Sequence, residues 1–402
     1  MKIVIELCNL LDGLMKPVIS MVIVQISYAA MNIFCKLAAE AGMNLNILVA
    51  YRLMFSSAFI VPLALKLERN SRPKLTLVVL FQAFLCGLFG GTLSQNLFVE
   101  ALVLTSSTFV AASSNLIPAV TFIMAICFRL EKLTLGSHAG KAKLVGTVMG
   151  IGGAMIFTFV KGPEFSIWST RIDLLQGHQA AAPSPSTSSS HRSTGSYLLG
   201  CFLALGSTVS FAMWLILQAK MSKRYPCHYS STALMSVMGS IQSVVFALCV
   251  ERDWSQWKLG WNIKLLAAAY SGIVTSGMAV VLVSWCVRKR GPLFVSIFTP
   301  LCLVIVAIAS SLLLNEKLSL GSVLGGIVIV LGLYMVLWGK SKEMKTIDNV
   351  NSDQEQPAAA AVLRSSTRLQ DSQFIEIFAT TQAPDTNTSG DNNSNTNVVS
   401  SS

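Results

Sequence analysis

The chain has 402 residues, of which 53% are hydrophobic and only 12% charged, with a formal net charge of +11. A soluble domain carries about 25% charged residues, so this composition excludes a chain that covers itself with a water-exposed surface. The positive balance points to membrane sidedness and not to a nucleic-acid partner, because of where it falls.

In chain order, residues 1–16 contain Lys2, Glu6, Asp12 and Lys16, which leave no uninterrupted apolar stretch for a cleavable signal peptide. They read as a cytosolic N-terminus, and the first span as an uncleaved anchor. Cutting the chain at charges then leaves apolar windows at 17–35, 41–65 (broken once, by Arg52), 75–99, 101–128 and 144–160. Residues 161–196 contain Ala180-Ala181-Ala182-Pro183-Ser184-Pro185 and a serine run, the composition of a flexible outer loop. The second half gives windows at 193–219, 225–250, 265–287, 291–315 and 318–339. A helix needs about 20 apolar residues to cross the hydrocarbon core, and no window has the polar face of a soluble amphipathic helix. Residues 340–402 turn polar and are expected as a disordered cytosolic tail.

The second half repeats the first. Glu131-Lys132-Leu133-Thr134-Leu135-Gly136-Ser137 returns as Glu316-Lys317-Leu318-Ser319-Leu320-Gly321-Ser322. Ser27-Tyr28-Ala29-Ala30 likewise resembles Ser210-Phe211-Ala212-Met213, and Gly146 and Gly153 match Gly325 and Gly332. Five crossings per repeat force the copies into opposite orientations. The fold class is therefore an all-α membrane protein of ten transmembrane helices in two inverted five-helix repeats, over 17–160 and 197–339. Inverted repeats are a common way to build a transporter with a midplane site. Lys and Arg concentrate in the even-numbered loops, as in Arg69, Arg72, Lys74, Lys223, Arg224 and Arg288-Lys289-Arg290, and beside the two termini. The positive-inside rule then places both termini in the cytosol.

Little in the membrane windows can do covalent chemistry. All four histidines (His138, His178, His191, His228) fall in loops or at span ends, and no Asp or Glu sits in the middle of a window. A nucleophile without an adjacent base argues against an enzyme, and a coupled carrier normally places a carboxylate in the membrane. The expectation is a facilitator with no cofactor and no metal. Most of the nine cysteines lie in the apolar windows and read as packing residues.

Arg52 is the one ionisable residue deep in a span. It can clamp a carboxylate with two hydrogen bonds or tie its helix to neighbouring carbonyls, and both readings stand. Its equivalent in the second repeat is Met235. The other candidates for a solute site are Asn32, Gln95, Asn115, Trp214, Gln218 and Trp285, with Gln25, Asn96 and Gln242 as further buried amides. Pro118 and Pro300 occupy corresponding helices and predict paired kinks for gating. Gly146 and Gly150, and Gly321 and Gly325, predict close helix contacts.

Ser94-Gln95-Asn96-Leu97-Phe98, Ser113-Ser114-Asn115-Leu116-Ile117-Pro118-Ala119, Phe128-Arg129-Leu130-Glu131, Trp214-Leu215-Ile216-Leu217-Gln218-Ala219-Lys220 and the run from Arg290-Gly291-Pro292 through Phe298-Thr299-Pro300 occur in order. Across residues 10–340 the chain resembles the plant nodulin-type EamA-like transporters, the Walls-Are-Thin-related or UMAMIT branch of the drug/metabolite transporter superfamily. The resemblance implies two EamA repeats and alternating-access movement of amino acids, auxin or related metabolites across the plasma membrane or tonoplast. It also implies a central cavity lined by the first, third, fourth, sixth, eighth and ninth helices. Where the family has paired tyrosines after Gln95-Asn96-Leu97, this chain has Phe98-Val99-Glu100. The partners implied are a small-molecule solute and the lipid bilayer, with no nucleic acid. The reading from another class is a membrane receptor or scaffold that signals through its tail.

Overall fold

The computed structural model describes residues 2–70, 72–131, 136–160, 164–165, 194–254, 256–313 and 318–343. Among these residues stand ten helices long and apolar enough to cross a membrane. They are α1 (Lys2–Glu40), α2 (Leu45–Leu67), α3 (Leu77–Leu104), α4 (Thr108–Cys127) and α5 (His138–Phe159), then α6 (Thr194–Arg224), α7 (His228–Val250), α8 (Ile263–Arg290), α9 (Pro292–Ala309) and α10 (Leu320–Glu343). Each falls on one of the ten apolar windows. β1 (Glu164–Phe165) and β2 (Leu318–Ser319) form a two-residue antiparallel pair before α10. The proposed tail, most of the outer loop and parts of both heptapeptide copies lie outside the described residues.

The solvent preference is that of a bilayer protein. Leu77, Phe81, Phe202 and Tyr334 stand exposed on the outside, while Ser56, Thr232 and Ser284 are buried within. Small and polar residues let helices approach and bond where no hydrophobic drive separates protein from lipid.

Polar caps set the helix starts and correct two boundaries. Ser106 Oγ accepts from the Phe109 N–H at 3.2 Å, so the third helix ends at Leu104 and the fourth begins after the cap. Cutting at charges had broken this pair at Glu100, which instead sits inside α3, one turn from its end. The membrane helices are thus not wholly free of carboxylates. At the other boundary, α6 begins at Thr194, inside the segment expected as loop.

The two repeats interlock about a pseudo-two-fold axis. α1 packs on α9 as α6 packs on α4, and α2 packs on α8 as α7 packs on α3. α2 and α7 pair antiparallel and are fastened at both ends by equivalent carboxylates. Glu68, after α2, accepts from the Tyr229 and Ser230 N–H groups at 3.1 and 2.7 Å, holding negative charge at the start of α7. Glu251, after α7, accepts from the Asn44 side chain, the cap of α2, at 2.8 Å.

α5 and α10 meet through glycines. A Cβ on Gly146 would come within 2.7 Å of Gly332 O, and one on Gly325 within 2.7 Å of Gly153 O. Gly146 is equivalent to Gly325 and Gly153 to Gly332, so the contact is the exchanged pair that a two-fold operator generates. The close contacts expected at Gly146, Gly150, Gly321 and Gly325 are present, Gly150 against Gly332 and Gly321 against Val160, and they extend to Gly153 and Gly332. At one end of this pair Glu131, buried, accepts from Lys143 Nζ at 3.5 Å and from Lys340 Nζ at 2.5 Å.

Candidate functional site

Four helices are interrupted halfway across, and the interruptions come in two-fold pairs. α3 carries a π-helical segment, Gly87–Leu93, and α8 carries another, Ser271–Ala279. A π turn adds a residue per turn, which shifts the side chains beyond it around the axis; such turns gather at functional sites. Glycine is needed in both segments because a neighbour sits where a Cβ would be. At Gly90 that Cβ would lie 2.5 Å from the Trp214 ring, and at Gly272 it would lie 2.6 Å from Arg52 O.

α4 breaks at Asn115-Leu116 before Pro118, and α9 breaks at Ile297-Phe298 before Pro300. Proline has no N–H to return to the carbonyl four residues earlier, so the chain turns before each one. The paired interruptions expected from Pro118 and Pro300 are present as breaks in the helix.

These interruptions surround a cavity of about 250 Å³. That volume suits a small organic solute better than a drug-sized one. Its lining comes from the central turns of eight helices, α2 and α7 included and only α5 and α10 excepted, which corrects the six-helix expectation.

The walls obey the pseudo-symmetry residue by residue. Gln25 pairs with Thr208, Tyr28 with Phe211, Met31 with Trp214, Arg52 with Met235 and Leu53 with Ser236, all at one offset, and all line the cavity. Gly90 and Gly91 pair with Thr275 and Ser276 at an offset two residues longer, and these too line the cavity.

Arg52 is 9% exposed. Its Nη1 points to Met31 Sδ at 3.6 Å and to Gln95 Oε1 at 3.5 Å, and its Nε has no hydrogen-bond partner among the described residues. The two-fold mate of the Arg52–Met31 contact is the bond from Trp214 Nε1 to Met235 Sδ at 3.1 Å. One geometry thus carries a cation and a thioether in the first repeat, and an indole and a thioether in the second. Phe211 meets Trp214 edge-on at 5.1 Å between ring centroids. Asn32 donates to Cys302 Sγ at 3.7 Å across α1 and α9. The result is one aromatic wall, a rim of amides and hydroxyls, and one buried cation without a carboxylate against it.

Asn32, Arg52, Gln95 and Trp214 are brought together here. Asn115 is not: it is 2% exposed and donates to Ala154 O at 3.3 Å and Thr158 Oγ1 at 3.2 Å, tying α4 to α5. Gln218 lies outside the lining, buried on α6, with neither amide atom hydrogen-bonded among the described residues. Trp285 packs against the main apolar core. Gln242 bonds to Thr92 and to Phe84 O between α7 and α3, as an interhelical amide does. Tyr28, Phe211, Thr275 and Ser276 escaped the sequence reading as site residues. For the first two the signal was there, since the Ser27-Tyr28 and Ser210-Phe211 match marks a shared wall.

A family model for the EamA-like transporter family matches residues 15–159 and again 198–338. The chain belongs to the EamA-like transporter family. It is an integral, multi-pass membrane protein of ten helices in two EamA repeats, and its family is one of transporters, not enzymes. Among its relatives are three WAT1-related proteins of the plant Arabidopsis thaliana. They are 47%, 45% and 44% identical over 83%, 83% and 82% of this chain and cover 92%, 92% and 85% of their own lengths. A solved crystal structure of a protein only 16% identical covers 78% of this chain and 97% of its own, with a TM-score of 0.56, a likeness of fold. In EamA terms, the cavity lies between the two repeats, and its lining is drawn from both.

Proposed function

We propose that this EamA protein moves small organic solutes bearing a carboxylate, the class to which amino acids and auxin belong, by alternating access. The observation that carries the reading is Arg52: a buried guanidinium without a counter-charge, in the wall of a cavity between two inverted repeats. A guanidinium presents parallel donors to a carboxylate, and the Phe211–Trp214 wall takes the apolar remainder of the solute. The paired breaks in α4 and α9 and the π segments in α3 and α8 supply joints at matching depth, which suit rocking of one repeat against the other. Among the described residues no Asp, Glu or His lines the cavity, which favours facilitation down the solute gradient. The basic even loops favour cytosolic termini, and the family resemblance favours the plasma membrane or tonoplast.

The test is flux of labelled amino acids and auxin in oocytes that display the chain at their surface. Saturable, chain-dependent flux that persists when a protonophore collapses the proton gradient supports the reading. Surface display without flux of any member of the panel favours a receptor or scaffold that signals through its tail.

A further inference from the structure

We propose that this carrier works as an exchanger, taking one carboxylate-bearing solute across in return for another and resetting only slowly when empty. The proposal rests on the reading of the midplane cavity as the solute site, and it deepens that reading by naming the faster form of the cycle.

The argument is one of charge balance. Arg52 is 9% exposed, its Nε is unpartnered among the described residues, and its Nη1 reaches only the neutral Met31 sulfur and the Gln95 amide oxygen. No Asp or Glu is among the residues that line the cavity. Alternating access passes through a state closed on both sides, in which water is largely expelled from the site. With the carboxylate of a net-anionic solute bound, that closed state is balanced in charge and holds an ion pair with good hydrogen bonds. Without one, it holds a single desolvated cation, the costliest arrangement for a buried charge. The loaded crossing is therefore faster than the empty return, and solute on the far side accelerates entry by loading the return.

The cation is not part of the scaffold. Met235 occupies the two-fold equivalent position, and there it bonds with Trp214 in the same helix-to-helix contact that Arg52 makes with Met31. A neutral residue satisfies the architecture, so the charge at position 52 is left to act on the solute and on the cycle.

The experiment uses the purified full chain in liposomes, in chloride-free sulfate medium so that no small monovalent inorganic anion serves as counter-substrate. The liposomes hold either no solute or an excess of the unlabelled one. Entry of labelled glutamate and of labelled indole-3-acetate, each a net monoanion at neutral pH, is followed. For whichever probe shows chain-dependent entry, internal solute is expected to raise the initial rate about tenfold or more, a factor that needs only a small part of an ion's burial penalty. In Arg52→Gln the ratio of the two rates is expected to fall to about one, whatever the absolute rate, while Arg52→Lys keeps the charge and keeps the acceleration. Equal entry into empty and loaded wild-type liposomes overturns exchange while leaving transport intact, as does an undiminished ratio in Arg52→Gln. No chain-dependent entry of either probe overturns the transport reading itself and the exchange proposal with it.

Discussion

Arg52 sits about 10 Å along α2 from the helix start, at 1.5 Å per residue, where an uncompensated charge is expensive and marks a functional site. Neighbouring backbone carbonyls do not hold it: among the described residues its hydrogen-bond partners are a sulfur and an amide oxygen. A clamp predicts a selective phenotype. Arg52→Gln is expected to lose about 10- to 100-fold in affinity for carboxylate solutes, the size of one charge-assisted hydrogen bond, while neutral analogues change little. Arg52→Lys restores part of the loss, because an ammonium lacks the two-pronged geometry. Equilibrium binding to the purified variants checks this, and equal loss for charged and neutral solutes would assign Arg52 to folding. The charge itself was legible in the sequence as the one break in an apolar window. Asn115, Gln218 and Trp285 fall outside the cavity lining, because an amide or indole in a span faces a cavity or a neighbouring helix with equal ease. Only the register of the helix decides between them: Asn115 turned to α5 and Trp285 to the core.

At the scale of the helix, cutting at charges located ten spans but could not see where they bend from within. Pro118 and Pro300 announced their breaks. The π segments did not, because an added residue per turn leaves length and apolarity untouched; their trace was the clustering of Gly87, Gly90 and Gly91 and of Ser271, Gly272 and Gly277. Gly90 seats the Trp214 ring, so Gly90→Ala is expected to push the indole into the cavity. The ring moves into open space, so thermal stability should change little, while solute affinity should fall by about tenfold, or about 1.4 kcal/mol. Titration of solute binding beside a melting curve separates the two. The opposite pattern belongs to the α5–α10 contact, which touches no cavity residue. Gly332→Leu forces the helices apart at Gly146 and Gly150. Its melting temperature in detergent should fall by several degrees, with solute preference among the molecules that remain folded unchanged.

For the whole molecule, the repeat was the most informative feature of the sequence, and it reaches further than the heptapeptide that revealed it. Equivalent residues fasten the α2–α7 pair at Glu68 and Glu251, close the α5–α10 pair at exchanged glycines, and line one cavity from both halves. The sequence could not say how far the two walls diverge in chemistry. Only the structure sets Arg52 opposite Met235, and Met31 opposite Trp214, around one space. Inverted repeats also fix sidedness: if the basic even loops are cytosolic, so is the tail. Asn387 and Asn392, which head glycosylation sequons, should then carry no glycan in the native protein. Glycan on either, found by enzymatic deglycosylation and mass spectrometry, would reverse the topology.

The claim on which all of this rests is that the cavity between the repeats opens to each side of the membrane in turn. Thr299 lines it beside the α9 break, so a Thr299→Cys variant in oriented proteoliposomes reports access. A charged, impermeant maleimide is added to one face or the other, and labelling at position 299 is read by mass spectrometry. The account predicts labelling from either face in separate experiments, slowed from both by a transported carboxylate solute. Labelling from one face alone, with or without solute and under every gradient applied, would contradict it.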